Sequence, residues 1–213
     1  VLVDGAFHAS EHSLEAFIPF LQHYRGPEVE IIPVLVTRFA GDSFERAVGE
    51  MSGALAAVLG QEGMELGTGA FVMISADCVH YGDDQWGGTN YAPFGTDREG
   101  YEKATAQDIE IARTTLEGPL SADRIAGFRE RIERDDLEWP YKVTWCGVYS
   151  IPFGLSVLER LSAAQGRETP EGHILGYGTS LEPGALPVEG TGLGATNIAT
   201  QRHWVGYLAM GYW

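Results

Sequence analysis

Two short runs of apolar, largely β-branched residues constrain the fold more than any other feature of the chain. They are Val29-Glu30-Ile31-Ile32-Pro33-Val34-Leu35-Val36 and Ala70-Phe71-Val72-Met73-Ile74-Ser75. Neither keeps a strict alternation of polar and apolar residues. Each therefore reads as a strand covered on both faces, as in a parallel sheet packed between helices. Leu14, Phe17, Ile18 and Leu21 fall at helical spacing and predict a helix over 13–24. Arg25-Gly26-Pro27 ends it, and Pro19 is its weak point, because an interior proline costs a hydrogen bond. Further helices are expected over 42–59, with Asp42 or Ser43 as cap, and over 98–116, 121–134 and 150–164. Strands are expected at 172–177 and 204–213, and loops at 83–97 and 182–196. Strands alternating with helices predict an α/β domain with a central mixed, largely parallel sheet flanked by helices. There is no internal repeat and no linker, so residues 1–213 read as one domain, long enough to bury a substantial core.

Composition removes some partners. The net charge of -16, from 30 acidic and 14 basic residues, repels phosphate backbones and argues against nucleic acid. No apolar run is long enough to cross a membrane, so no membrane partner is expected. Two cysteines, Cys78 and Cys146, make no disulfide framework, which points to a reducing, cytoplasmic setting. The first residues, VLVDGAFHASEHSLE, lack the basic region of a signal peptide and an initiator Met. The expectation is a processed chain or a piece of a longer one.

Three places could carry chemistry. Asp77-Cys78-Val79-His80 directly follows the second apolar run, and ligand sites in open α/β sheets gather past the carboxyl ends of strands. A carboxylate, a thiol and an imidazole within four residues can supply a metal ligand, a base and an orienting partner. The competing reading makes Asp77 a turn cap and His80 a surface histidine. The second place is Glu11-His12-Ser13-Leu14-Glu15, at the expected start of the first helix. The helix dipole there disfavours imidazolium, and neutral imidazole is the metal-binding form. Capping competes, with Ser10 or Ser13 as cap and Glu11 and Glu15 complementing the dipole. The third place is Cys146-Gly147, ahead of the helix at Ser150, where a thiol can acquire a lowered pKa. Its alternative is a small buried hydrophobe, the reading preferred for Cys78. Trp86, Tyr91, Trp139, Trp145 and Tyr81 could wall an aromatic pocket or simply pack. No phosphate-binding loop, nucleophile elbow or paired-cysteine zinc motif occurs, and Gly190-Thr191-Gly192-Leu193-Gly194 lacks the strand–helix context of a dinucleotide loop.

Taken in order, these segments resemble the Memo family, also called the B protein of AmmeMemoRadiSam systems. The resemblance rests on Glu11 to Glu15 with Pro19-Phe20-Leu21, on Ile31 to Val36, on Ser75 to Gly82, on Cys146-Gly147 with the apolar helix after it, and on Tyr207-Leu208-Ala209-Met210-Gly211. It implies the fold of class III extradiol dioxygenases, which are non-haem Fe(II) enzymes. It also implies a metal site in which His12 and Cys146 are ligands, with Asp77 and His80 beside it and His80 acting as acid/base. Imidazole with thiolate suits a divalent ion, Fe(II) first, with Cu or Zn as alternatives. Two departures stand out. The family's first histidine lies in an N-terminal Pro-His-Ala-Gly-type segment that this sequence lacks, so the expectation is a fold without its N-terminal part, or one completed by a second chain, or a degenerate site. The family's Arg-His-Pro after Cys-Gly is here Val148-Tyr149-Ser150.

The resemblance implies a metal-dependent oxidoreductase acting on a small, aromatic substrate. Two other classes remain open: a non-catalytic binding module for peptide or protein partners, and a Cys- or metal-dependent hydrolase.

Overall fold

The computed structural model describes residues 5–9, 11–40, 42–136, 138–182, 190–191 and 199–213. The loop expected at 182–196 lies outside the described residues except at 182, 190 and 191, as do Ser10 and Gly192 to Gly194. The chain divides into two compact units, one of residues 1–76 and 149–168, the other of residues 77–148 and 169–213.

The first unit is helical. It holds α1 (Ile18–Arg25), α2 (Ser43–Glu62) and α5 (Ser150–Ala164). The first helix begins at Ile18 rather than residue 13, which places Pro19 in its first turn, where a missing N–H costs nothing. On α2, Phe44, Val48, Ser52 and Leu59 recur on one face. Phe44, Val48 and Leu59 join Phe153, Val157 and Leu161 of α5 in one apolar cluster, and Val36, Phe39, Ala70 and Val72 pack around it. Phe39 stacks on Phe153 with ring centres 5.5 Å apart.

The two apolar runs lie in this unit, and neither is a strand. Along the second, Ala70 and Val72 turn to the helical core, while Phe71 and Met73 are exposed. Along the first, Ile31, Ile32, Val34 and Leu35 are exposed. A strand exists only when a neighbour takes up its backbone groups. Among the described residues the runs have one such contact, an isolated bridge between Leu66 and Ala70.

The second unit contains α3 (Arg98–Ile111), α4 (Ala122–Ile132) and four strands, β1 (His80–Gly82), β2 (Gly118–Pro119), β3 (Glu171–Thr179) and β4 (His203–Tyr212). The carboxylate of Asp97 caps α3 by accepting from the Gly100 amide at 2.9 Å, and Ser121 caps α4 in the same way. A π-turn over Ala112–Leu116 continues α3. The sheet order is β1-β4-β3-β2 and every pairing is antiparallel. The largely parallel sheet expected from the sequence is therefore corrected. The runs that would have supplied parallel strands join no sheet among the described residues, and no described helix separates β3 from β4. Trp145, Trp204, Tyr81, Phe128, Ile111 and Ile132 fill the core of this unit. No described helix is long and apolar enough to cross a membrane.

Candidate metal centre

Backbone register brings the chemistry-bearing residues of the second unit together. The segment 77–82 runs between two others. On one side the Cys78 amide donates to Gly206 O at 2.9 Å, the Gly206 amide returns a bond to Val79 O, and His80 pairs with Val205. On the other side the His80 amide donates to Thr144 O at 2.9 Å, Val79 bridges Trp145, and the Cys146 and Gly147 amides donate to Cys78 O and Asp77 O. Cys146 thus arrives beside Asp77 and His80 although it is remote from them in sequence.

One ligand atom each from Asp77, His80 and Cys146 lies within 4.8 Å of the other two. Nε2 of His80 stands 3.2 Å from Oδ2 of Asp77, and both side chains are half-buried. Cys146 is exposed on a short 3-10 turn (Cys146–Val148), so its reading as a buried hydrophobe fails. Cys78 is 3% exposed, and burial pushes its thiol up, out of the range in which it could be a thiolate at neutral pH. Packing is its role. Burial acts against a charged His80, but hydrogen bonds and charge from Asp77 and Cys146 outweigh it and push the imidazole up to about 9. An imidazole, a thiol and a carboxylate converging at a partly open surface suit a divalent transition metal and fit Mg or Ca poorly.

An aromatic wall adjoins the group. The His80 ring stacks on Trp86 at 5.1 Å, and Trp86 stacks on His203 at 4.2 Å and on Tyr91 at 5.5 Å. Tyr91 leans on Trp139 at 5.3 Å. Of the five aromatic residues singled out in the sequence, Trp86, Tyr91 and Trp139 build this wall, whereas Tyr81 and Trp145 are core. The cleft of about 330 Å³ lined by Ile109, Arg113, Ile174, Tyr177 and Leu208 contains none of the three converging side chains.

His12 belongs to the first unit, and its imidazole is 94% exposed. The Glu11 carboxylate accepts from the amides of His12 and Ser13, closing a turn ahead of α1. Since α1 starts only at Ile18, the helix dipole does not act on His12.

Sequence reasoning missed three residues near the site. His203 reaches Trp86 only through the β1–β4 register, in which Gly82 faces His203. Asp108 is 1% exposed on α3 and Tyr177 on β3 donates to it. A signal for Asp108 was available: Ala104, Asp108 and Ile111 share the buried face of α3, and a carboxylate on an apolar helix face needs partners. Oδ1 accepts the Trp145 indole N–H at 2.6 Å. Oδ2 accepts the Tyr177 hydroxyl at 2.8 Å and the Val79 amide at 3.3 Å. Burial pushes the Asp108 carboxyl up to about 6, against the pull of these three donors.

The family described as Memo-like protein matches residues 1–184 of the chain. Among curated proteins, a MEMO1 family protein of Aquifex aeolicus is 28% identical over 76% of this chain and 47% of its own length. One from Methanopyrus kandleri is 28% identical over 83% of this chain and 48% of its own. One from Pyrococcus horikoshii is 28% identical over 87% and 55%. The chain spans about half the length of the curated relatives it matches. No solved structure matches it significantly.

Proposed function

The chain belongs to the Memo-like protein family, and on that footing we propose a metal-dependent, non-haem oxidoreductase related to the extradiol dioxygenases. The observation that carries this reading is the convergence of Asp77, His80 and Cys146 within 4.8 Å. Cys146 and His80 would hold a divalent ion, Fe(II) first, with Cu or Zn as alternatives, and Asp77 lies within reach of the same position. A bound ion supplies Lewis-acid and, for Fe or Cu, redox chemistry. The protein's own residues do the rest. Asp77 is bonded to one nitrogen of the His80 imidazole and orients the ring, leaving the other nitrogen for the ion. The Trp86 face offers a stacking surface to a small aromatic substrate. The two free cysteines suit a reducing compartment, and a cytoplasmic setting is proposed on that ground. His12 as a further ligand rests on the family resemblance alone.

The test is elemental analysis of the purified protein beside His80→Ala, Cys146→Ala and His12→Ala, followed by oxygen uptake with catechol-type compounds after anaerobic Fe(II) loading. Near-stoichiometric metal that falls in the first two variants, with oxygen consumption, supports the reading. A fall in His12→Ala as well would add that residue to the ligands. A metal-free protein that consumes no oxygen after loading ends it.

One observation favours a second reading, a binding module. Ile31, Ile32, Val34, Leu35, Phe71 and Met73 are exposed in the first unit. Apolar β-branched runs that join no sheet among the described residues suit an added strand from a polypeptide carrying the other half of the family's length. Binding of such a polypeptide by a His80→Ala, Cys146→Ala double variant would support this. Loss of binding in that variant would count against it.

A further inference from the structure

We propose that Asp108 is the positioning residue of the candidate metal centre, one carboxylate that sets the distance between the His80 imidazole and the Cys146 thiol. The inference rests on the reading of that centre given above and extends it to a residue that touches none of its ligands. The argument begins with connectivity. Asp108 accepts from the Val79 amide and the Trp145 indole, and these residues immediately precede His80 and Cys146. Val79 and Trp145 also face each other in a bridge whose hydrogen bonds run from the His80 amide to Thr144 O and from the Cys146 amide to Cys78 O, so the carboxylate closes a small ring of hydrogen bonds behind the site. The Tyr177 hydroxyl at 2.8 Å supplies the third donor and holds the carboxylate from β3.

Such an arrangement is costly and would not arise from packing alone. A carboxylate at 1% exposure needs every lone-pair direction it can fill, and an apolar side chain on this face of α3 would pack without that requirement. The surroundings are shaped to admit it. A β-carbon at Gly206 would lie 2.5 Å from Oδ2 of Asp108 and 2.7 Å from the Tyr177 hydroxyl, so only glycine lets β4 pass there. Chemically, Asp108 cannot supply a ligand or a proton to the ion, because its carboxylate is fully engaged beneath the two segments. What it can do is hold them in register, as groups behind metal ligands do when they fix ligand orientation.

The experiment uses Co(II) alone as the probe, with Asp108→Asn and Tyr177→Phe in the full 213-residue chain. Co(II) bound by Cys146 gives a thiolate-to-cobalt absorption band, and Cys146→Ala identifies it. The expected result is a folded Asp108→Asn protein, judged by circular dichroism, whose Co(II) affinity falls by about tenfold and whose band shifts. Tyr177→Phe, which keeps the carboxylate and both site segments, should weaken binding by roughly threefold. A readout free of metal runs in parallel: the ring nitrogen signals of His80 by NMR, which should move in both variants. If the wild type binds no Co(II), the metal reading fails and the His80 signals alone decide the role of Asp108. If Asp108→Asn does not fold, Tyr177→Phe decides it. Unchanged band, affinity and His80 signals in the folded variants would overturn the proposal.

Discussion

Gly206 stands directly against Asp108, close enough that a β-carbon at position 206 would lie 2.5 Å from the carboxylate Oδ2. Neither partner can yield. Asp108 is fixed by three donors, and Gly206 exchanges backbone bonds with Cys78 and Val79. Gly206→Ala should destabilise the protein by about 2–3 kcal/mol through overpacking and a broken hydrogen-bond ring. Urea titration measures this, and a loss below about 0.5 kcal/mol would show that β4 shifts to accommodate the methyl group.

Asp108 also predicts a pH dependence. Its carboxyl is pushed up to about 6 in the fold from an ordinary 3.8. Between these values the folded chain holds a proton that the unfolded chain has released, so stability falls as pH rises from about 4 to about 6. The loss amounts to about 3 kcal/mol, complete above the upper value. In Asp108→Asn this component disappears, while the other carboxylates, common to both proteins, cancel in the comparison. Denaturant midpoints at pH 4, 5, 6 and 7 measure the difference. Parallel curves for the two proteins would refute it.

Trp86 is the aromatic residue in stacking contact with both His80 and His203. Trp86→Ala should leave the metal content unchanged and weaken binding of a catechol-type ligand by roughly tenfold, the value of one lost stacking surface. Fluorescence titration of the remaining tryptophans or calorimetry reads the affinity. A drop in metal content instead would give Trp86 a structural part in holding His80.

Ile32 and Met73 are exposed apolar side chains of the first unit. Replacing both with lysine should change stability by no more than about 0.5 kcal/mol, because neither fills the core. The same change should reduce the binding of a hydrophobic dye and any self-association seen by light scattering. A cooperative loss of stability would show that these residues are packed in solution.

The helices were the legible part of this chain. Residues 150–164 read as a helix and form α5 over that span, and 98–116 correspond to α3 with its π-turn. Their periodicity is local, and so is the physics that sets it. The apolar runs 29–36 and 70–75 read as strands because their composition is that of strands. Pairing is not local, however, and among the described residues it amounts to the single Leu66–Ala70 bridge. For the same reason the antiparallel sheet was missed: the β3–β4 register depends on residues that meet only after folding. At the site, Asp77 and His80 were visible as a motif and Cys146 as a separate thiol. Their meeting follows from the bonds between 77–80 and 144–147. Asp108 went unread because it was counted among helix residues rather than weighed as a charge on a buried face.

The ring behind the site joins residues 29, 37 and 69 positions apart in the chain. Closing such long loops is the slow part of folding, since the entropy is lost before the contacts repay it. Helices α3 and α4 can form early from local contacts, yet the three donors to Asp108, the Val79 amide, the Trp145 indole and the Tyr177 hydroxyl, converge only when 77–80, 144–147 and β3 have all docked. Metal capture in a refolding experiment would therefore keep time with the last cooperative event of the second unit. A nascent chain that had not yet emitted Tyr177 and Gly206 would carry Asp77, His80 and Cys146 and still lack the ring that lies behind them.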